Sequence, residues 1–406
     1  MKRGFDRLSN LPCDVLEQFL ACLPIKEAVR TSVLSRKWRY RWAMLSHLVF
    51  DEQCESTLDH SAFVNMVDRV LLLKIGPIHK FKLSHGSLRA TSDIDRWILH
   101  LSRNSIKEFI LHIRKGGHYT VPSCLFSCQD IIHLELFVCF LKPLPTFKGF
   151  RSLKSIYIHY VILPQDVFEN LIGCSPLLES LTLIDCKGFT HLKINAPNLR
   201  YLWIQGAFED VVLENASNLA DAYICMEENV DQGHVGSSSN LLKFFVQLPQ
   251  VRMLQFEEYF LKYLAAGSLP RKLPKPCLYL KLLRLNIFFD DLEDILAALC
   301  LLRSSPALQE LELQSLQEEE DVVREVKSWL DDNQSCQLSQ LRLVKIADFR
   351  GIKAELDFIR FLLLSSPVLE SMTVKPISEN GSSEILKKLV RFKRASVDAE
   401  IIYLDP

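Results

Sequence analysis

The phrase CSPLLESLTL at residues 174–183 returns as NAPNLRYLWI at 195–204, SSPALQELEL at 304–313 and SSPVLESMTV at 365–374. Each copy sets a proline ahead of apolar residues spaced three and then two apart, as in Leu178, Leu181 and Leu183. Weaker copies of the triplet run from Ile78/Phe81/Leu83 to Leu338/Leu341/Leu343, giving twelve units at intervals of 20 to 32 residues. Residues spaced in this way point inward from a short strand and from the turn that leads into it. So short a strand cannot bury its own face, so neighbouring units must stack.

Segments between the triplets, such as PQDVFENLIGC at 164–174 and LDFIRFLLLSS at 356–366, carry helical spacing and are expected to form an outer layer. The resulting fold class is α/β: a curved leucine-rich-repeat solenoid with parallel strands on the concave side and helices on the convex side. Two units extend the pattern to L-x-x-L-x-L-x-x-C, ending at Cys139 and Cys186, where the thiol is expected to bond to backbone inside the turn. SAFVNMVDRVLLLK at 61–74 reads as an amphipathic helix that starts the solenoid, DQGHVGSSSN at 231–240 as an exposed loop, and QEEED at 317–321 as a solvated acidic helix start.

The first fifty residues follow a different period. Val15, Leu16, Phe19, Leu20 and Leu23 share one helical face between Pro12 and Pro24, and Ile25, Ala28 and Val29 continue in a second short helix. Ser35 is placed to cap a third helix starting near Arg36, with Trp38, Trp42 and Leu45 on one face and Arg36, Arg39 and Tyr40 on the other.

Composition narrows the function classes. The 406 residues are 48% hydrophobic and 24% charged with a net charge of −1, enough for a large core and no global case for nucleic acid or anionic membrane. Asp14, Glu17 and Glu27 dilute the basic run around Arg36, Lys37 and Arg39. The opening MKRGFDRLSN has no apolar core of a leader, and the longest apolar run, 295–302, is far short of the roughly 20 residues a membrane span needs. An intracellular protein of nucleus or cytoplasm is expected. The twelve cysteines form no C-x-x-C pair and read as reduced thiols, and Cys124 and Cys128, with His118 and His133 nearby, match no usual zinc spacing. No P-loop, G-x-S-x-G or H-E-x-x-H motif occurs, so no catalytic residue, metal or cofactor is expected, although a small molecule at the repeat surface stays open.

Three stretches resemble known modules. LSNLPCDVLEQFLACLPIKEAVRTSVLSRKWRYRW at 8–42 resembles an F-box, the module that binds the Skp-type adaptor of Skp–cullin–F-box ubiquitin ligases, with Leu11-Pro12, Leu23-Pro24 and Val33 to Trp38 carrying the match. LRLVKIADFRGIKAELDFIRFLLLSSPVLESMTV at 341–374, with the basic helix and strand after it, is similar to the FBD domain that ends many plant F-box/leucine-rich-repeat proteins. FVNMVDRVLLLKIGPIHKFKLS at 63–84 also has the look of that family. The resemblance implies an F-box at 5–50, a solenoid at 61–330 and an FBD domain at 335–405 that continues and caps it. It further implies a substrate-recognition subunit that is not itself an enzyme, joined through the adaptor to a cullin and holding an unknown target protein on its repeats.

Two sets of residues are the candidates. For the adaptor these are Leu11, Pro12, Leu16, Leu20, Leu23, Pro24, Val33, Leu34 and Trp38, a surplus of apolar surface for so small a module. Packing onto the first repeat accounts for them equally well without the resemblance. For the target, the residue between the second and third apolar positions of each triplet should project from the concave face, which singles out Tyr157, Trp203, Tyr223 and Arg284, with Tyr201 beside them. Aromatics at such positions serve either as binding anchors or as good strand formers. The competing function is a ubiquitin-independent leucine-rich-repeat scaffold, its N-terminal helices serving only as a cap.

Overall fold

A computed structural model describes residues 12–54, 58–227, 239–266, 269–317, 336–378 and 382–406. The chain divides into two compact units, Met1–Phe189 and Thr190–Pro406. In the first, helices Cys13–Ala21 and Ile25–Arg30 begin directly after Pro12 and Pro24, whose fixed φ suits a helix start. The expected third helix is replaced by tight turns and a 3-10 helix at Trp42–Met44. The bonds there run three residues back, as Trp38 N–H to Ser35 O at 3.1 Å and Arg41 N–H to Trp38 O at 3.2 Å. This tighter winding turns both indoles inward, Trp38 at 1% and Trp42 at 5% exposure, and leaves Arg36 and Arg39 in solvent.

Strand His47–Phe50 then opens a parallel ladder that continues through Lys80–Leu83, Glu108–His112, His133–Phe137, Ser155–His159 and Ser180–Ile184. Helix His60–Leu73 lies between the first two strands, and its N-cap Asp59 accepts a bond from Ala62 N–H at 2.7 Å. In the second unit the ladder runs Tyr201–Gly206, Asp221–Met226, Met253–Glu258, Leu282–Phe288, Glu310–Leu316, Leu343–Phe349, Ser371–Pro376 and Glu400–Tyr403, again all parallel. The inward residues are almost completely covered, for example Leu202, Ala222, Leu254, Leu283 and Leu311, and helices close over them through contacts such as Phe245 and Phe260 on Phe256.

The outer layer is not helical throughout. The longer connections carry helices, such as Gln165–Gly173, Leu292–Arg303 and Lys353–Ser365. In the two shortest units the connection is a strand instead: His191–Asn195 pairs with Asp210–Glu214, and a further outer pair joins Tyr119–Val121 to Cys139–Leu141. A unit of little more than 20 residues has too few left, after strand and turns, to wind the two or three turns of a helix. At the strand ends Val138 and Asp185 take left-handed φ of 56° and 49°, which turns the chain so that the next thiol points inward. Cys139 then donates to Phe137 O at 3.6 Å, and Cys186 to Ile184 O at 3.5 Å and Ile158 O at 3.6 Å. The loop expected at 231–240 and the acidic run after Gln317 lie largely outside the described residues.

One unit reads in a shifted register. Leu343, expected inside, is 37% exposed, while Val344 and Ile346 are buried with Leu341, so the triplet is Leu341/Val344/Ile346. The pairings of Leu311 with Val344 and Val344 with Met372 set this register, and the outward residue of the unit becomes Lys345 rather than Arg342. Val344→Thr, which buries an unpaired hydroxyl, should cost about 1–3 kcal/mol, and Leu343→Thr should stay within about 0.5 kcal/mol. Denaturant unfolding of the two variants checks the register.

A buried carboxyl in the second unit gives its stability a pH dependence. Asp294, 1% exposed in the first turn of helix Leu292–Arg303, accepts from Phe288 N–H at 3.1 Å, and burial pushes its pKa from 3.8 up to about 7. A pKa raised on folding means that the stability contributed by the neutral acid is full below 3.8 and is lost as pH rises through about 7. Asp294→Asn, which holds the neutral shape, should unfold several degrees above the natural chain at pH 8.5, and the gap should close or reverse at pH 5. Thermal melts at the two pH values measure it.

Candidate functional site

The N-terminal module separates its apolar residues into an inner and an outer set. Leu16, Leu20 and Trp38, all expected to touch a partner, are at 0%, 0% and 1% exposure, enclosed with Ile25, Ala28 and Trp42. In the free chain their side chains form the core of the module. Leu23 and Pro24 are half-buried at the helix junction, Pro12 is exposed, and Leu11 lies outside the described residues. Val33 and Leu34 stand in solvent at 87% and 60% exposure, joined by Val15, Phe19 and Tyr40, which the sequence reading left out of the candidates. Phe19 packs edge-on against Trp38 at 6.2 Å, so an outer ring rests on the inner one. The signal for Val15 and Phe19 was present in their i, i+4 spacing, but two apolar stripes on one short helix look alike without the third dimension.

The second candidate surface is the outward row of the strands. In the first unit Tyr157 sits between Glu135 and Thr182 in register. Glu135 accepts from His112 Nε2 at 2.6 Å and lies 3.4 Å from His133 Nε2, and these bonds hold its carboxyl down at about 2. Tyr201, Trp203, Tyr223 and Arg284 belong to the second unit, where the row runs Trp203, Tyr223, Gln255, Arg284, Glu312, Lys345 and Thr373. Tyr201 is one outward position before Trp203 on the same strand.

These side chains form one connected floor. The Trp203 and Tyr223 rings meet at 4.2 Å, and the Trp203 indole N–H is covered without an acceptor among the described residues. The Tyr223 hydroxyl donates to Glu257, and burial together with that carboxylate raises the phenol pKa. Gln255 Nε2 donates to Glu257 at 2.6 Å, and Arg284 reaches Gln255 Oε1 at 3.4 Å while its Nε binds Glu312. Lys345 bridges Glu310 at 2.6 Å and Glu312 at 2.7 Å. Burial opposes ionisation of Glu312, but the bonds from Lys345 and Arg284 prevail and keep it below the usual carboxylate range.

Above this floor a cleft of about 470 Å³ is lined by Gln255, Glu257, Arg284, Glu312, Gln314, Lys345, Thr373, Lys375 and Leu404, within the size range of ligand pockets. Arg284 lies in it. Tyr201, Trp203 and Tyr223 adjoin it on earlier strands, and Tyr157 belongs to the other unit. Glu257, Glu312, Lys345 and Lys375 were not among the sequence candidates, Lys345 because of the shifted register. No group of His, Cys, Asp and Glu suited to a metal occurs among the described residues, and Cys128 donates to Cys124 O at 3.6 Å. No helix among them is long and apolar enough to cross a membrane.

Comparison with known proteins agrees with three modules in this order. A family model for the F-box domain matches residues 8–49, one described as FBD-associated F-box protein At5g56370, LRR repeats, matches 94–313, and one for FBD matches 335–374. The chain is 40% identical to F-box/FBD/LRR-repeat protein At1g13570 of Arabidopsis thaliana over 98% of each chain. It is 26% identical to FBD-associated F-box protein At5g56370 over 98% of this chain and 100% of that one. With F-box/LRR-repeat protein At4g14103, also of Arabidopsis thaliana, it shares 32% identity over 53% of this chain and 60% of that relative.

The two apolar sets of the N-terminal module respond differently to truncation. Trp38→Ala should cost about 3–5 kcal/mol and Leu16→Ala about 2–5 kcal/mol by opening cavities. Val33→Ser should remain within about 0.5 kcal/mol. Chemical unfolding of the full chain measures all three.

Proposed function

The chain belongs to the family of F-box/FBD/LRR-repeat proteins, and we propose that it is the substrate-recognition subunit of a Skp–cullin–F-box ubiquitin ligase. F-box domains generally bind Skp-type adaptors. The observation that carries the reading is the outer apolar set, Val33 at 87% and Leu34 at 60% exposure, on a module that already has a closed core. Apolar side chains held in water on a folded module are what a partner helix covers. In this reading Pro12, Leu23, Pro24, Val33 and Leu34, with Val15, Phe19 and Tyr40, meet the adaptor, while Leu16, Leu20 and Trp38 hold them in place. The modules are taken as 5–50, 61–330 and 335–405.

The target binds on the outward row of the repeats, with Tyr201, Trp203, Tyr223 and Arg284 among its contacts and Tyr157 on the first unit's own face. The subunit performs no bond chemistry and needs no resident metal or prosthetic group. It acts by effective concentration, holding a target lysine where a ubiquitin-charged enzyme on the cullin reaches it. None of the eleven cysteines described is in a disulfide, which suits the reducing nucleus or cytoplasm where such ligases work.

Replacing Val33 and Leu34 together by Glu should weaken co-purification with a Skp-type adaptor by about 2 kcal/mol or more, with circular dichroism and melting temperature unchanged. Unaltered adaptor retention in a folded double variant would rule this reading out.

A further inference from the structure

The exposed apolar surface of the N-terminal module does not end where the module ends. Tyr40 and Met44, 63% and 42% exposed, stand on its last turns, where Ala43 N–H donates to Tyr40 O at 3.2 Å. Ser32 Oγ donates to Arg39 O at 3.0 Å, which brings the turn carrying Val33 and Leu34 against the one carrying Tyr40. Next to Met44 comes the end of helix His60–Leu73, where Leu72, Leu73 and Ile75 are 83%, 56% and 67% exposed. Single exposed leucines are ordinary, but a run of large apolar side chains held in water marks a contact surface.

The two parts are locked into one surface. Ala43 O accepts from Lys74 Nζ at 2.8 Å, from Ile75 N–H at 3.0 Å and from Gly76 N–H at 3.1 Å, and Lys74 Nζ also donates to Gly76 O at 2.9 Å. The backbone of Lys74 is extended, so with its side chain turned in to Ala43 its neighbours Leu73 and Ile75 face the other way, into solvent. A methyl group on Gly76 would stand 2.9 Å from Met44 O, so this connection lies directly on the module's backbone. A surface fixed this closely loses little freedom when a partner covers it.

We propose that the Skp-type adaptor extends past the F-box onto this junction, its apolar side chains covering Met44, Leu72, Leu73 and Ile75 as well as the module's outer set. The inference rests on the ligase-receptor reading and adds a second part to its adaptor contact. Continuity chooses this occupant: the steps from Val33 to Tyr40, Met44 and Ile75 lead from the module that F-box partners bind directly onto the new patch. Size agrees, because a stable interface takes about 800 Å² and 20–30 residues from each partner, more residues than the module's outer set contains. An adaptor seated on both sides of the Ala43 junction fixes the angle between itself and the first strands of the solenoid. That angle decides where a held lysine is presented.

The test uses the full chain and a purified Skp-type adaptor. Leu72→Glu together with Ile75→Glu should weaken adaptor binding about tenfold or more in a calorimetric titration. Leu99→Glu, at an exposed leucine of the next helix, Ser92–Leu101, should leave it unchanged. Carbene footprinting of the natural chain gives a reading that depends on no variant's folding: Leu72, Leu73 and Ile75 should label strongly in the free chain and weakly once the adaptor is added. Unchanged affinity in the folded double variant, or labelling that the adaptor does not alter, overturns the proposal. So does weak labelling in the free chain, which a second copy or residues 1–11 lying over the patch would produce. Val33→Glu with Leu34→Glu is titrated alongside. Binding lost there but kept in the Leu72/Ile75 variant strikes the junction alone, whereas no binding by the natural chain strikes the ligase reading itself.

Discussion

No strand in either unit is long enough to be stable by itself, and every other feature follows from that constraint. Segments of three to seven residues hold only because each gives its backbone to neighbouring strands, and each inward pair closes on the next. Parallel pairing with constant register then lines up equivalent residues across the ladder. The inward lines become a continuous apolar core. The outward lines become a surface whose chemistry is written one residue per unit.

In the second unit that surface is polar from Gln255 to Lys345, and its polar groups answer each other. Arg284 stands between an amide on one side and a carboxylate on the other, and Lys345 extends the chain of bonds to one more strand through Glu310 and Glu312. Cross-strand pairs of this kind are individually modest at a partly exposed surface. Their effect is to fix rotamers, which turns a row of flexible side chains into a formed floor. The N-terminal module is tied to the first ladder by a comparable device. Ala43 O accepts the Lys74 ammonium at 2.8 Å and the backbone N–H groups of Ile75 and Gly76 at 3.0 and 3.1 Å. Burial without a carboxylate lowers the Lys74 pKa to about 8, so this junction sits close to its own titration.

Most of the fold was legible because the triplet spacing has one mechanical meaning. The residues from Ile78 to Leu308 fall inside as the spacing requires, and the thiols of Cys139 and Cys186 find the backbone as expected. The exceptions have identifiable causes. At LSQLRLVKI both Leu338/Leu341/Leu343 and Leu341/Val344/Ile346 satisfy the spacing, and a slip of one phase exchanges the two faces. Around Trp38 the residues that a helix would put on one stripe are also those that successive three-residue turns gather, so the indoles go inside by either route while the backbone differs.

The sequence by itself determined that the chain stacks short strands, that a separate helical module precedes them, and which residues stand on the outward row in every unit but the one at Leu341, where two registers satisfy the spacing, because periodicity and turn chemistry are local properties. It could not decide which apolar residues of the N-terminal module are core and which are surface, since Leu16 and Phe19 are alike until a second helix covers one of them. Nor could it show that Arg284 and Lys345 meet at Glu312. Charges far apart in the chain cancel only where the ladder's register brings them within a few ångströms, and that distance belongs to the tertiary structure.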